Sequence, residues 1–76
     1  MSLSEQEAAV LDVESRFWRH AGVKEDVIRV ETGMTPTRYY QLLNSLMENA
    51  DAWEYAPQAL ARVARIRDRN RTRRTA

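Results

Sequence analysis

The chain has no cysteine, one histidine, two glycines, two prolines and one phenylalanine. Without cysteine there is no disulfide framework, no thiol nucleophile and no thiolate-bound zinc or iron–sulfur site. A lone histidine leaves a transition-metal centre without ligands, so no metal and no cofactor is expected. No apolar run is long enough to span a bilayer, and the opening MSLSEQEAAV is polar and acidic, unlike a signal peptide. A cytoplasmic protein with no membrane contact is therefore expected. The chain has 76 residues, of which 43% are hydrophobic and 30% charged. Such a length supports one small core and no interdomain cleft. There is no Walker-type loop, nucleophile elbow or paired-carboxylate motif, so neither an enzyme nor a small-molecule substrate is expected.

The formal charge of +1 conceals a division along the chain. Residues 1–61 hold ten acids against five bases, a net of −5. Residues 62–76 hold seven arginines (62, 65, 67, 69, 71, 73 and 74) against Asp68, a net of +6. An arginine-dense tail on an acidic body seeks phosphate or an acidic protein surface, and the guanidinium fork suits phosphate well.

The apolar residues recur at spacings of three and four, with no strand-like alternation, so the fold class is all-α with about four helices. Ser4-Glu5-Gln6-Glu7 reads as a capping box that starts the first helix. Val10, Leu11, Val13, Phe17, Trp18 and Ala21 follow on one side, and Gly22 is the expected stop. Phe17 and Trp18 are assigned to the core, and His20 to the end of that helix, bonding its last carbonyls or complementing its dipole. Glu14 falls inside the apolar sector, where a carboxylate needs a partner; Arg29 and Arg38 are the nearest candidates. A second helix is expected from Lys24 to Glu31, with Val27, Ile28 and Val30 turned inward. Glu25 and Asp26 would lie in its first turn.

Gly33 turns the chain, Met34 plugs the turn, and Thr35-Pro36 is an N-cap followed by proline at the first helical position. The third helix should run from Pro36 to about Asn49. Tyr39, Leu42, Leu43 and Leu46 share its inner side, while Thr37, Gln41 and Asn44 lie opposite, flanked by Arg38, Tyr40 and Ser45. Asp51-Ala52-Trp53-Glu54-Tyr55 reads as a single helical turn with Trp53 closing the core. Pro57 starts a last helix with Leu60, Val63 and Ile66 as an apolar stripe and Arg62, Arg65 and Arg69 as a basic one. Beyond Asn70 nothing apolar remains to bury, so disorder is expected there. The organisation is a core domain over 1–56 and a basic C-terminal helix and tail over 57–76.

The segment Gly33-Met34-Thr35 with Thr37-Arg38-Tyr39-Tyr40-Gln41-Leu42-Leu43 resembles the helix-turn-helix of bacterial DNA-binding proteins. It departs from that pattern at Arg29, where a small alanine is usual, and at Thr32, where an aliphatic residue is usual. Phe17-Trp18-x-His20-Ala21-Gly22 and Arg38-Tyr39-Tyr40-Gln41-x-Leu43-Asn44, with the arginine tail, resemble a family of short actinobacterial proteins of unassigned function. That second resemblance implies a bacterial cytoplasmic protein and no activity.

These features make double-stranded DNA the expected partner, bound by a transcriptional regulator or chromosome-associated protein. Thr37, Arg38, Gln41 and Asn44 are the base-contact candidates, because their side chains match base edges in the major groove. Thr35, Tyr40, Arg62, Arg65, Arg69, Arg71, Arg73 and Arg74 are the phosphate-contact candidates. A homodimer would supply two half-sites. The alternatives are a module that binds RNA polymerase, a sigma factor or another regulator, and RNA or ribosome binding through the tail.

Overall fold

The computed structural model describes the backbone of residues 3–75 and the side chains of residues 3–70. Five helices follow one another: α1 (Glu5–Glu14), α2 (Ala21–Thr32), α3 (Pro36–Leu46), α4 (Ala50–Tyr55) and α5 (Pro57–Thr75). The described residues form no strand. α1 packs against all four other helices, α2 also against α3, and α4 also against α5.

The capping box forms as expected. Ser4 Oγ accepts from the Glu7 N–H at 3.0 Å, and Glu7 Oε1 accepts from the Ser4 N–H at 2.8 Å. α1 then ends at Glu14, eight residues before Gly22. Side chains rather than glycine stop it. Ser15 Oγ donates to the Leu11 carbonyl at 2.8 Å, and Trp18 Nε1 donates to the Val13 carbonyl at 2.8 Å. Arg62 of α5 donates to the Glu14 carbonyl. These donors satisfy carbonyls that a helix end leaves open.

The early end moves several residues. Gly22 is exposed and lies in the first turn of α2. His20 is the N-cap of α2, without a side-chain capping bond, and does not close α1. Glu25 and Asp26 fall beyond the first turn. Phe17, freed from any helix, is 83% exposed instead of buried, while Trp18 packs against the core. Val30 is likewise 83% exposed, because Ile28 is the residue of α2 that enters the centre.

The turn after α2 follows the sequence closely. Gly33 has φ 73°, the left-handed region that glycine enters freely, and its N–H closes on the Arg29 carbonyl. Met34 is buried beneath the turn. Thr32 explains its own departure from an aliphatic residue: its hydroxyl donates to the Ile28 carbonyl and accepts from the Met34 N–H. α3 stops at Leu46, short of Asn49, because Asn49 starts the next helix. Its Oδ1 accepts from the N–H groups of Asp51 and Ala52. Trp53 Nε1 donates to the Met47 carbonyl at 2.7 Å, fastening α4 over the end of α3.

Val10, Leu11, Val13, Ile28, Tyr39, Leu46 and Leu60 are fully buried. Each such aliphatic or aromatic side chain contributes about 1.5–3 kcal/mol by leaving water. Through Ala59 and Leu60, the first turns of α5 belong to this core. Ile66, the last of the expected apolar stripe, is 47% exposed, so α5 has left the body by that point. Its helical backbone continues to Thr75, past the Asn70 limit expected from composition. No glycine or proline interrupts residues 58–75, and arginine is a good helix former. The radius of gyration, 12.7 Å, exceeds the value of about 11 Å for a compact domain of this length, as a projecting helix requires.

Glu14 is 7% exposed, and neither Arg29 nor Arg38 is its partner. Lys24 of α2 places Nζ 2.8 Å from Glu14 Oε1, and the Tyr39 hydroxyl of α3 donates to the same oxygen at 2.6 Å. The Val10 carbonyl oxygen is 3.2 Å from that hydroxyl. Lys24 Nζ also lies 5.3 Å from the Tyr40 ring centre, within cation–π range. Tyr39 and Tyr40 meet edge to face with centres 4.9 Å apart. One carboxylate thus joins α1, α2 and α3.

Burial first, and then the hydrogen bond and charge of Glu14, push the Tyr39 phenol well above the usual tyrosine range. The phenol is therefore harder to ionise in the folded chain than in the unfolded one. Its contribution to stability is complete below the unfolded value of about 10 and is lost as pH rises above it. In an alkaline titration, Tyr39 should form tyrosinate only as the chain unfolds, and Tyr39→Phe should flatten the loss of melting temperature above about pH 10. Lys24→Met should cost about 3 kcal/mol in denaturant unfolding, since it strands a buried carboxylate. Arg29→Met and Arg38→Met should each change stability by no more than about 0.5 kcal/mol.

Candidate nucleic-acid interface

α3 presents the candidate surface, and its two ends are well defined. Thr35 Oγ1 accepts from the Arg38 N–H at 3.2 Å, and Pro36 occupies the first helical position. Tyr39, Leu43 and Leu46 are buried and Leu42 is half-buried, so the inner side of α3 is fixed against α1 and α2. At about 100° per residue, Thr37, Gln41 and Asn44 then stand on the opposite side. All three are exposed, as are Arg38 and Ser45 beside them. No acid occurs from Pro36 to Met47.

The four base-contact candidates are therefore brought together on one helix face. Arg38 and Gln41, with Ser45 and Leu42, also line a cleft whose other wall is Gln6 of α1. Arg29 does not come between α2 and α3. It is exposed and its Nη1 lies 3.7 Å from Asp26 Oδ1.

The phosphate-contact candidates divide. Thr35 is exposed at the N-terminus of α3, where its oxygen already caps the helix. Tyr40 is 40% exposed, with its ring held by Tyr39 and Lys24. Arg62 is committed elsewhere: its guanidinium donates to the Glu14 carbonyl, tying α5 to the end of α1. Arg65 and Arg69 are exposed one turn apart on the projecting part of α5, and Arg67 is exposed there too. The side chains of Arg71, Arg73 and Arg74 lie outside the described residues. α5 packs on α1 and α4, whereas α3 packs on α1 and α2, so α1 stands between the two candidate elements.

Sequence reasoning missed Lys24, which it treated only as a helix start, and the anchoring role of Arg62. A local signal for Lys24 existed: it is the first base within α2, ten positions after the acid that ends α1. For Arg62 there was none, because its acceptor is a backbone carbonyl 48 positions away.

The helices and their junctions define a small all-helical protein, and the chain belongs to the DUF3263 family, a protein family of unknown function, which matches residues 2–75. No curated protein and no solved structure matches the chain. Among the described residues, no helix is long and apolar enough to cross a membrane.

Arg62→Ala should lower the melting temperature, because it frees a buried-edge carbonyl and the anchor of α5. A lost hydrogen bond from a charged donor is worth about 1.5–3 kcal/mol. Arg65→Ala and Arg69→Ala should leave the melting temperature unchanged, a contrast that thermal unfolding followed by circular dichroism reads directly.

Proposed function

We propose that this protein binds double-stranded DNA, with α3 as the element that enters the major groove and α5 as a phosphate contact. The observation that carries the reading is the unit formed by α2, the turn at Gly33-Met34-Thr35, and α3. Its second helix is capped and anchored on one side and offers Thr37, Arg38, Gln41 and Asn44 on the other. Recognition helices of the helix-turn-helix type present the residues of their N-terminal half to base edges in this way. Glutamine and asparagine match adenine, arginine matches guanine, and the threonine methyl group matches thymine.

The charge distribution supports the same reading. DNA carries one charge per about 1.7 Å of axis, so carboxylates facing it are costly. The acids of the body lie outside α3, and neither α3 nor its C-cap Met47 contributes one. Arg65, Arg67 and Arg69 extend from the body as a cationic arm. Such a protein would act as a transcriptional regulator or chromosome-associated protein in an actinobacterial cytoplasm, at the nucleoid. The rival readings assign the same α3 face to RNA polymerase, a sigma factor or another regulator, or the arm to RNA.

The test is fluorescence anisotropy with random-sequence duplex at about 50 and 200 mM salt, a span over which phosphate-driven binding weakens steeply. The full chain should bind at the lower salt, and a chain ending at Asn70 should bind every sequence more weakly with a shallower salt slope. Gln41→Ala and Arg38→Ala should instead erode sequence preference, by about 1–3 kcal/mol per lost bidentate contact on a selected site. Absence of binding at the lower salt contradicts the reading and directs attention to protein partners.

A further inference from the structure

The cleft beside α3 is built by two helices. Its α3 wall is Arg38, Gln41, Leu42 and Ser45, neighbours along one edge of that helix, and its α1 wall is Gln6. Gln6 stands in the first turn of α1 between Glu5 and Glu7, where the helix dipole favours acids. The position that faces α3 is nevertheless an amide. Glu5 and Asp12 are exposed and stand about 100–120° from it around the helix. Glu7 is engaged with the Ser4 N–H at 2.8 Å. Gln6 itself is exposed and, among the described residues, makes no side-chain hydrogen bond. Ser45 adds no donor to the cleft, since its hydroxyl donates to the Leu42 carbonyl at 2.7 Å. The donors that remain are one guanidinium and two amides, and only the Gln6 amide is not on α3.

We propose that this cleft receives one sugar–phosphate strand of the duplex, with the Gln6 amide donating to a phosphate oxygen. The inference rests on the DNA reading and gives a contact to α1, to which that reading assigns none. Two widths select the strand over a base. A helix with its side chains is about 10–12 Å across, and the major groove is about 12 Å wide. α3 alone fills such a groove. A second helix at its flank therefore meets the wall of the groove, which is a phosphodiester strand.

The residue type fits the same wall. A carboxylate at this position would repel the strand at close range, while an amide offers it two N–H groups. Because the amide is neutral, its contact has a signature of its own. The salt slope counts phosphates neutralised by cations, so a bond from Gln6 adds affinity and leaves the slope alone. A base contact from α3 would instead depend on sequence, and an arginine of α5 would steepen the slope.

Fluorescence anisotropy of the full chain with several duplexes of unrelated sequence, at about 50 and 200 mM salt, tests this. Gln6→Ala should bind every duplex about 3–10-fold more weakly, the worth of one neutral hydrogen bond, with the salt slope of the unmodified chain. Gln6→Arg should bind more tightly and steepen the slope by about 0.9, the share of one neutralised phosphate. Both variants should keep the melting temperature, because Gln6 is exposed and takes no part in the capping box. Where the unmodified chain binds duplex, three results each overturn this inference alone. They are an affinity that Gln6→Ala leaves unchanged, a loss confined to particular sequences, and a slope that Gln6→Arg does not alter. Failure of the unmodified chain to bind any duplex overturns the DNA reading, and this inference with it.

Discussion

A carboxylate in the centre of a protein this small is the constraint on which the other features depend. Glu14 can be tolerated there only while Lys24 neutralises it and the Tyr39 hydroxyl donates to it. Those two partners come from α2 and α3, so satisfying one charge aligns three helices at once. An apolar residue at the same position would fill the space without selecting an angle. The ion pair is weak evidence for net stability, since desolvation offsets much of its attraction. Its effect here is directional, because the carboxylate oxygen accepts from two fixed donors.

The consequence reaches the surface of α3. Tyr39 is the inward anchor of its first turn, and Tyr40 is held against Lys24. With the inner side of α3 pinned through Tyr39, Leu43 and Leu46, the outward direction of Thr37, Gln41 and Asn44 is determined. A residue on a rigid helix reaches a base edge more reliably than one on a loop. Arg62 performs a comparable task at the same end of α1, on the Glu14 carbonyl. Its guanidinium fastens α5 to that carbonyl, while Arg65, Arg67 and Arg69 beyond it are exposed.

Much of this was legible in the amino-acid order where the signal is local. The capping box at Ser4, the turn at Gly33, the Thr35-Pro36 start of α3 and the Pro57 start of α5 each depend on residues within four positions. The inner and outer faces of α3 followed from its periodicity for the same reason. The end of α1 did not. Gly22 is a glycine of the kind that stops helices, yet Ser15, Trp18 and Arg62 take the carbonyls first, and one of these donors comes from the far end of the chain. A helix running on to Gly22 would carry Phe17 into the core; with α1 ending at Glu14, Phe17 is exposed and Lys24 of α2 reaches the Glu14 carboxylate. The apolar spacing of α2 turns Val30 inward, yet Ile28 takes that place and Val30 is exposed.

The account turns on α3 being the surface that meets duplex DNA. Backbone amide resonances of the labelled full-length protein, followed as duplex is added, test it most directly. The account predicts that the largest changes fall on Thr37, Arg38, Gln41 and Asn44 and on α5 beyond Val63, with α4 little affected. Changes centred on Phe17, Val23 and Val30, or none anywhere at saturating duplex, would contradict it.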